Sequence, residues 1–480
     1  MLKNKCLYLR SYLNSMLIVV PIEIKTREFL PKLYLIYKII KHTNFKVLFG
    51  SQRELTNKVK GFKNIIFFDK GTNHNRFLNN GLNLENNHVM MLSEEGPVSY
   101  FDNYALGIHY DQSLDEIIDE FFFWGKNDLF KLPKKIFSKK INVFGHPKFD
   151  LLNQNKGKFF DKKSKQIKKK YGNFILFSSS FEPPINKSTL LSRYLNYYKN
   201  LNKDKILNLC NKEFRDLNKN QKNFKEAIKL LFEIAKSFPK LKIIFRKHPN
   251  QQYSDFIELF KNKPNNLILL YDDNITPWIK ASKLYIHSGC TTVHEALMLK
   301  KKIIFFNKNN QNRLKHFEKI GFKSSNIKTS IKLIEKLLLK NGKIKNLEGQ
   351  VNTIINYKKN FFFYKNFIKI LKQHKNLNSK IIFHKKNNFF ENILFKLKNI
   401  FKKLLSVVKN EFILKTPLVL FFPEKHTFSK ESKLNKLPFI KSKEIKNVIL
   451  RFMSMEKKKF IFEVKKFDKD LFLIKKNNNL

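Results

Sequence analysis

The sequence predicts an α/β protein made of two doubly wound domains in series and a basic helical extension at the C-terminal end. Three observations support this prediction. Short apolar runs alternate with longer amphipathic stretches from residue 17 to about residue 150, a lysine-rich polar segment follows, and a second alternating series starts at residue 173. Apolar strands that alternate with helices are typical of parallel sheets covered on both faces.

The first series predicts a domain over residues 1–150. Its strand-like runs are, in order, LIVVPIEI, KVLFG, IIFFDKG, HVMML, FFFWG and INVFG, with a helical stretch at residues 32–40. The series ends at GHPKFD. Residues 151–172 are polar and almost free of apolar periodicity, so we interpret them as an interdomain linker.

The second series predicts a domain over residues 173–340. Its strand-like runs are NFILFSSS, LKIIFRKHPN, LILLYDD, KLYIHSGCTT and KKIIFF. An insertion at residues 183–222, rich in Tyr, Asn and Lys, has no shape that the pattern reveals, and a helical flap is the expectation.

The last part of the chain, residues 341–480, carries 33 Lys and Arg against 10 Asp and Glu. Residues 390–408 place apolar side chains at helical spacing beside a flank of lysines. This pattern predicts a basic amphipathic helix, which docks either on an anionic membrane surface or on the two domains.

The composition excludes several classes of protein. With 42% hydrophobic residues in 480, wholesale disorder is ruled out. The net charge of +56 is weak evidence for nucleic acid, because Lys, Asn, Phe and Ile rise together, as AT-rich codons produce. Cys6, Cys210 and Cys290 form no disulfide or zinc framework, and the apolar run at residues 17–22 is too short to span a bilayer, so we expect a cytoplasmic protein.

The segment LYIHSGCTTVHEAL is the strongest candidate for chemistry. A buried strand ends in a small-residue turn with Ser288, Gly289 and Thr291, and Thr292 opens a helix. A phosphate fits such a helix start, where backbone N–H groups are unpaired. Glu295 follows Thr292 by three residues, which fits either a capping box or a carboxylate that binds a ribose.

Two other segments follow strands of the same domain. FRKHPN places Arg246, Lys247 and His248 directly after a strand, and Ser179 lies in the SSS turn that ends the first strand. Ligands of doubly wound folds collect at the carboxyl ends of strands, so these side chains suit a diphosphate. The alternative is that basic residues are common in this chain, although only 12 His and 14 Pro occur in it.

Charged residues also follow three strands of the first domain. Glu23 and Glu28 lie in PIEIKTRE, DKGTNHNR follows another strand, and Glu94 and Glu95 lie in SEEGPV. Each of these charged segments taken alone is most simply a solvated loop. Because three of them follow successive strands, together they predict a polar cleft along one edge of the sheet.

The sequence resembles bacterial surface carbohydrate biosynthesis proteins in six motifs taken together. They are PIEIKTRE, KGTNHNR, EEG, GHPKFD, the His-Pro pair and HSGCTTVHEA. Such proteins are similar to glycosyltransferases of the GT-B type, with two facing Rossmann-like domains. The resemblance spans about residues 17–330. Family members often have proline where this chain has Lys247 and asparagine where it has His146, and nothing familiar matches the extension.

The resemblance implies a glycosyltransferase that moves a sugar from a nucleotide sugar to a surface polysaccharide. His248 and the turn at residues 288–292 are similar to the phosphate site of sialyl-, Kdo- and glycerophosphate transferases, with Glu295 on the ribose side. Glu94 or Glu95 is the expected general base, its pKa raised by burial in the cleft, with Glu23 and Glu28 as second choices.

The expected partners are a nucleotide sugar and an oligosaccharide or lipid-linked acceptor, with peripheral contact to the inner face of the membrane through the tail. No cofactor, no metal site and no specific nucleic acid are expected. A nucleotide-sugar epimerase on the same scaffold and a basic RNA-binding protein are the alternatives from other classes.

Overall fold

The computed structural model describes most of both predicted domains and parts of the extension. The described residues are 16–59, 62–70, 87–94, 96, 117–131, 139–181, 186–197, 202–248, 251, 256–270, 274–308, 317, 320–339, 361–374, 380–381, 437, 439–468 and 470–477. Glu95, most of KGTNHNR, Pro249 and the predicted amphipathic helix at residues 390–408 lie outside them.

The strands of the first half are short and, apart from β7, mostly buried. They are β1 (Leu17–Ile22), β2 (Lys46–Ser51), β3 (Phe62–Lys63), β4 (Ile66–Asp69), β5 (His88–Leu92), β6 (Glu120–Phe123) and β7 (Lys140–Val143). All except β3 belong to one sheet, in the order β2-β1-β4-β5-β6-β7, and every one of these pairs is parallel.

The second half forms an entirely parallel sheet of six strands. They are β8 (Phe174–Ser178), β9 (Lys242–Arg246), β10 (Leu267–Leu270), β11 (Leu284–His287), β12 (Lys302–Phe306) and β13 (Phe322–Ser324). The spatial order is β10-β9-β8-β11-β12-β13, which is the order of a Rossmann sheet. The predicted α/β class with doubly wound parallel sheets is therefore confirmed.

Helices connect and cover the two sheets. They are α1 (Lys25–His42), α2 (Gln52–Lys58), α3 (Pro147–Asn153), α4 (Asp161–Tyr171), α5 (Lys187–Tyr197), α6 (Lys203–Ser237), α7 (Thr276–Ala281), α8 (Val293–Met298) and α9 (Ile327–Leu339). Residues 151–172, predicted as a polar linker, are largely helical and pack on the second half, where Ser164 Oγ donates to the Pro277 carbonyl at 3.0 Å.

The insertion at residues 183–222 is helical where it is described. It forms α5 and the first half of α6, a helix of 35 residues and about 50 Å in length. Leu190 and Tyr194 of α5 are buried against Ile206, Cys210 and Leu217 of α6. The two helices bury their apolar sides against each other in a small separate core. The apolar residues of this segment therefore do not form the short continuous runs that indicate strands.

The extension contributes to the first sheet, which corrects the prediction that it is helical throughout. It holds α10 (Phe363–Gln373), the short β14 (Lys380–Ile381), α11 (Ser442–Met455), β15 (Phe462–Asp468) and β16 (Leu471–Lys476). β15 and β16 form an antiparallel hairpin, and β16 pairs antiparallel with β2. Without this hairpin, β2 would be an exposed, apolar edge strand, which is prone to association.

None of the helices within the described residues is both long enough and apolar enough to cross a membrane.

We expect Gly50→Ala to destabilise the protein by about 3 kcal/mol or more, because a Cβ at this close backbone approach forces the chains apart. A Cβ on Gly50 would lie 1.9 Å from the carbonyl oxygen of Asp470, which leads into β16. Urea unfolding followed by circular dichroism measures the loss.

Gly172→Ala is the matched control, since a Cβ there meets nothing within 4 Å. Its φ of 67° and ψ of −142° lie in a region that glycine favours, so alanine there carries backbone strain of about 1–3 kcal/mol without a steric contact. Equal losses in the two variants would contradict the tight docking of the hairpin.

Candidate functional site

The second sheet reverses its strand order between β8 and β11. From β8 the order continues to β9 and β10, whereas β11 leads to β12 and β13. A doubly wound sheet opens a crevice at the carboxyl ends of the strands where the order reverses. Ser178, the last residue of β8, lies in register with Arg246 of β9 and with His287 of β11. The strand ends singled out in the sequence therefore meet at this reversal.

Three consecutive serines join the neighbouring strand ends. The backbone N–H of Ser179 donates to the Arg246 carbonyl at 2.9 Å. On the other side, Ser180 Oγ donates to the Ser288 carbonyl at 2.6 Å. The segment that carries His248 and the turn at residues 288–292 thus flank residues 178–180.

Gln251 fixes the segment around His248, a role that the sequence pattern does not reveal. Its Oε1 accepts from Ser179 Oγ at 2.9 Å and from the His248 backbone N–H at 2.8 Å. Its carbonyl accepts from Lys247 Nζ at 2.5 Å. Gln251 is buried, while the His248 side chain is half-buried. A lone glutamine carries no local signal, because its role depends on contacts made by folding.

The turn after β11 has the backbone that its small residues predict. Gly289 has a φ of 96°, in the region that favours glycine. Thr292 Oγ1 lies 2.6 Å from the Tyr285 hydroxyl and 2.9 Å from Cys290 Sγ, and it makes no capping hydrogen bond at the start of α8. The capping-box alternative for Glu295 is therefore wrong, because the threonine hydroxyl is engaged elsewhere.

Several buried polar atoms around this turn have no hydrogen-bond partner among the described residues. They include His287 Nε2, Ser288 Oγ and Glu295 Oε2. Buried polar groups in folded proteins are nearly always hydrogen-bonded, to protein, water or a ligand, so these atoms have free capacity to bind a polar molecule. Thr291, half-buried in the same turn, adds a further hydroxyl.

Glu295 lies in an electrostatically strained position. Burial raises the pKa of its carboxyl group, and the nearby charges of Lys148 and Arg246 oppose the rise. A carboxyl group with a raised pKa and an oxygen without a partner is the kind of group that binds a hydroxyl or exchanges a proton.

Lys148 connects the two halves of the molecule. It belongs to α3 but interacts electrostatically with Glu295 of the second half and with Glu94 of the first, and burial lowers its pKa. Its ammonium group lies 4.3 Å from the centre of the Trp124 ring. The GHPKFD motif by itself does not indicate this role for its lysine, because Glu94 and Glu295 come near Lys148 only after folding.

The first sheet also reverses its order, between β1 and β4, and charged residues follow both strands. Lys70, just after β4, forms an ion pair with Glu23, just after β1, and lies 3.5 Å from Glu28 Oε1. Arg27 Nη2 donates to Glu28 Oε1 at 2.8 Å. The Glu23 side chain is 39% exposed, whereas that of Glu28 is fully buried. Glu23 is thus the carboxylate of this group that a ligand can reach.

Glu94 corrects the expectation of a carboxylate with a raised pKa. Burial alone would raise the pKa of Glu94, but His146, Lys32 and Arg27 hold it well below its usual range. Oε1 lies 3.3 Å from Lys32 Nζ and Oε2 lies 3.0 Å from His146 Nε2. A buried carboxylate whose two oxygens both contact cationic or hydrogen-bonding groups is a weak base. Glu94 is therefore better suited to a structural role at the carboxyl edge of the first sheet.

His146 is held in one tautomer by its neighbours. Its Nδ1 accepts the backbone N–H of Lys148 at 3.1 Å, so Nε2 carries the hydrogen that it donates to Glu94. Burial lowers the pKa of His146. A neutral imidazole therefore links Glu94 to the segment that positions Lys148.

Asp150 ends the same motif and anchors the extension. Its two carboxylate oxygens accept the backbone N–H groups of Phe363 at 2.8 Å and Tyr364 at 2.9 Å, at the start of α10. Burial raises the pKa of Asp150 to about 7, against the effect of these two donors.

Comparisons with known proteins show likeness to solved structures alone. No protein-family model matches the chain, and no curated protein sequence matches it significantly. MnaA of S. aureus, solved with UDP, is 11% identical with a TM-score of 0.45, over 75% of this chain and 97% of that chain. UDP-GlcNAc 2-epimerase of Methanocaldococcus jannaschii, solved with UDP-GlcNAc and UDP, is 13% identical with a TM-score of 0.45, over 75% and 99%. The wall teichoic acid polymerase TagF is 11% identical with a TM-score of 0.47, over 75% and 89%.

We expect Glu94→Gln to lower stability by about 3 kcal/mol, because removing one partner of a buried ion pair leaves the other uncompensated. Glu23→Gln should cost less than about 1 kcal/mol, since Glu23 is partly exposed and its ion pair is screened by solvent. Urea unfolding of both variants measures the difference. A Glu94→Gln protein as stable as the Glu23→Gln protein would contradict the structural role of Glu94.

We expect Asp150 to make stability depend on pH. Its pKa of about 7 lies above the value of 3.8 for a free carboxyl group, so the fold favours the protonated form. That contribution, up to about 4 kcal/mol, is present below pH 4 and is lost as the pH rises through 7. Asp150→Asn should lack this slope. Melting temperatures of both proteins from pH 4 to pH 8 test it, and parallel curves would contradict the assignment.

Proposed function

We propose that the protein is a glycosyltransferase of GT-B architecture that moves a sugar from a nucleotide-activated donor to a surface polysaccharide acceptor. The observation that carries the proposal is the set of buried polar atoms without partners at the order reversal of the second sheet, Ser288 Oγ and Glu295 Oε2 among them. A donor nucleotide suits this place. Its phosphates accept hydrogen bonds from N–H and hydroxyl donors, and its ribose hydroxyls bind a carboxylate.

The donor diphosphate would lie against His248 and the turn that contains Ser288 and Gly289. Backbone N–H groups, hydroxyls and the cationic side chains of Arg246 and His248 would neutralise the charge that develops on the leaving diphosphate. This charge compensation needs no metal ion at the donor site. Glu295, buried and with a raised pKa, would bind a ribose hydroxyl from the other side of the turn.

The acceptor would enter along the order reversal of the first sheet. There Glu23 is the better candidate for the general base, because its carboxylate is accessible and Lys70 orients it. Glu94 is a poorer candidate, because His146, Lys32 and Arg27 hold its pKa well below the usual range. Glu95 lies outside the described residues. The acceptor is proposed to be an oligosaccharide or a lipid-linked glycan.

A nucleotide-sugar epimerase would use the same donor site and the same cleft carboxylates. The two activities separate cleanly when the protein is incubated with nucleotide sugars and no acceptor. Release of the nucleotide only when an acceptor is added supports transfer. Interconversion of the sugar without an acceptor would replace the proposal with epimerisation.

We expect His248→Ala to weaken nucleotide binding by about 1.5–3 kcal/mol, the value of a hydrogen bond to a charged group. Folding should survive, since the His248 side chain is only half-buried.

Glu295→Gln should keep the shape of the side chain but reduce turnover, because it removes the charge that a ribose hydroxyl contacts. Isothermal titration with the nucleotide that gives the largest thermal shift measures binding, and melting temperatures check the fold.

Thr329→Ala is the control, because Thr329 lies in α9, which follows the edge strand β13, and its hydroxyl contacts Ser324 and Asn326. Wild-type affinity in His248→Ala would remove the central support for the phosphate site. Unchanged turnover in Glu295→Gln would show that its carboxylate takes no part in binding.

A further inference from the structure

Three potential metal ligands from distant parts of the chain meet at the amino edge of the first sheet. His88 is the first residue of β5, and Glu120 is the first residue of β6. His374 follows directly after α10 in the extension. The nucleotide site proposed above lies on the other sheet, and the acceptor cleft lies at the opposite, carboxyl edge of this sheet. The cluster is therefore separate from both.

The ligand atoms of these residues already have the spacing of a metal site. One atom from each lies within 4.8 Å of the others. Glu120 Oε1 lies 3.2 Å from His88 Nε2 and 3.6 Å from His374 Nε2. Atoms bound at about 2.0–2.1 Å to a tetrahedral zinc ion lie about 3.4 Å apart, so little movement is needed.

His374 Nε2 is buried and has no hydrogen-bond partner among the described residues. Its distance of 3.6 Å from Glu120 Oε1 is too long for a hydrogen bond. The His374 ring instead packs against the His88 ring at a tilt of 41°, with 4.2 Å between the ring centres. A metal ion bound by these side chains would supply a partner for His374 Nε2.

We propose that His88, Glu120 and His374 bind a divalent ion of the zinc class, with water as the fourth ligand. Two imidazoles and one carboxylate are a donor set that Zn²⁺ accepts. The site would tie the end of α10 to the first sheet, as Asp150 ties its beginning, and so hold the extension against the domain at both ends of the helix.

The surroundings orient the ligands as supporting partners of metal sites do. Asn142 Nδ2 donates to Glu120 Oε2 at 2.9 Å, which leaves Oε1 for the ion. The Asp119 carboxylate lies 3.6 Å from Nδ1 of His88, on the far side of the ring from the ion. At 3.6 Å this is not a hydrogen bond. The negative charge of Asp119 beside the ring nevertheless favours a cation at the site.

One cation already lies beside the cluster. Lys140 Nζ is 3.2 Å from Glu120 Oε1, the oxygen assigned to the ion. The Lys140 side chain is 55% exposed, so it can turn into solvent when an ion binds. Its ammonium group would compete with the ion, and this competition provides a test in which a variant gains affinity.

The test uses the full chain without a histidine tag, stripped with chelator and titrated with ZnCl₂ in a calorimeter. We expect one ion per chain, a rise in melting temperature with zinc, and a loss of affinity of at least about tenfold in both His88→Gln and His374→Gln. His42→Gln, which removes a histidine from the end of α1, should bind as the wild type does. Lys140→Met should bind zinc about fivefold more tightly.

Absence of a stoichiometric site in the wild type would overturn the proposal. Wild-type affinity in His88→Gln or His374→Gln would do the same, because each supplies a ligand. Circular dichroism without metal shows whether those variants fold. Should they not fold, Lys140→Met decides alone, since weaker or unchanged zinc binding in that folded variant contradicts an ion at Glu120.

Discussion

The burial of the Lys148 ammonium group between the two α/β halves is the constraint on which the rest of the site depends. A buried charge is tolerated only when opposite charges compensate it. Here Glu295 of the second half and Glu94 of the first supply them, and burial still lowers the pKa of Lys148. The Trp124 ring adds a cation–π contact at 4.3 Å. Because each half supplies one carboxylate, the charge balance of one half is incomplete without the other.

The topology of each sheet places the remaining charged residues with little help from side-chain packing. Strand order reverses between β1 and β4 in the first sheet and between β8 and β11 in the second. Helices leave such a point in opposite directions, which keeps the carboxyl edge open while the rest of the sheet is covered. Polar residues after these strands can remain hydrated or bind a ligand, whereas the same residues within the strands would be buried without partners.

The sequence was sufficient to predict features that depend on local pattern. Ser179, Arg246 and the turn at Gly289 were identified because they follow apolar strands, and parallel strand ends share an edge. It was insufficient where the environment depends on distant residues. The pKa of Glu94 was expected to rise by burial, yet Lys32 and His146, each close only after folding, lower it.

The extension shows the same limit on a larger scale, and it changes how the molecule is divided. β16 pairs with β2, and the Glu456 side chain, 6% exposed, accepts from the hydroxyls of Tyr34 and Tyr37 on α1. Lys38 and Lys41 of α1 complete this buried group and hold the pKa of Glu456 at about 2, although burial alone would raise it. A chain cut after residue 341 would therefore expose the edge of β2 and leave two lysines without their carboxylate. The described parts of the extension belong to the fold of the first domain, so a deletion of the whole extension cannot separate a membrane role of residues 390–408 from loss of structure.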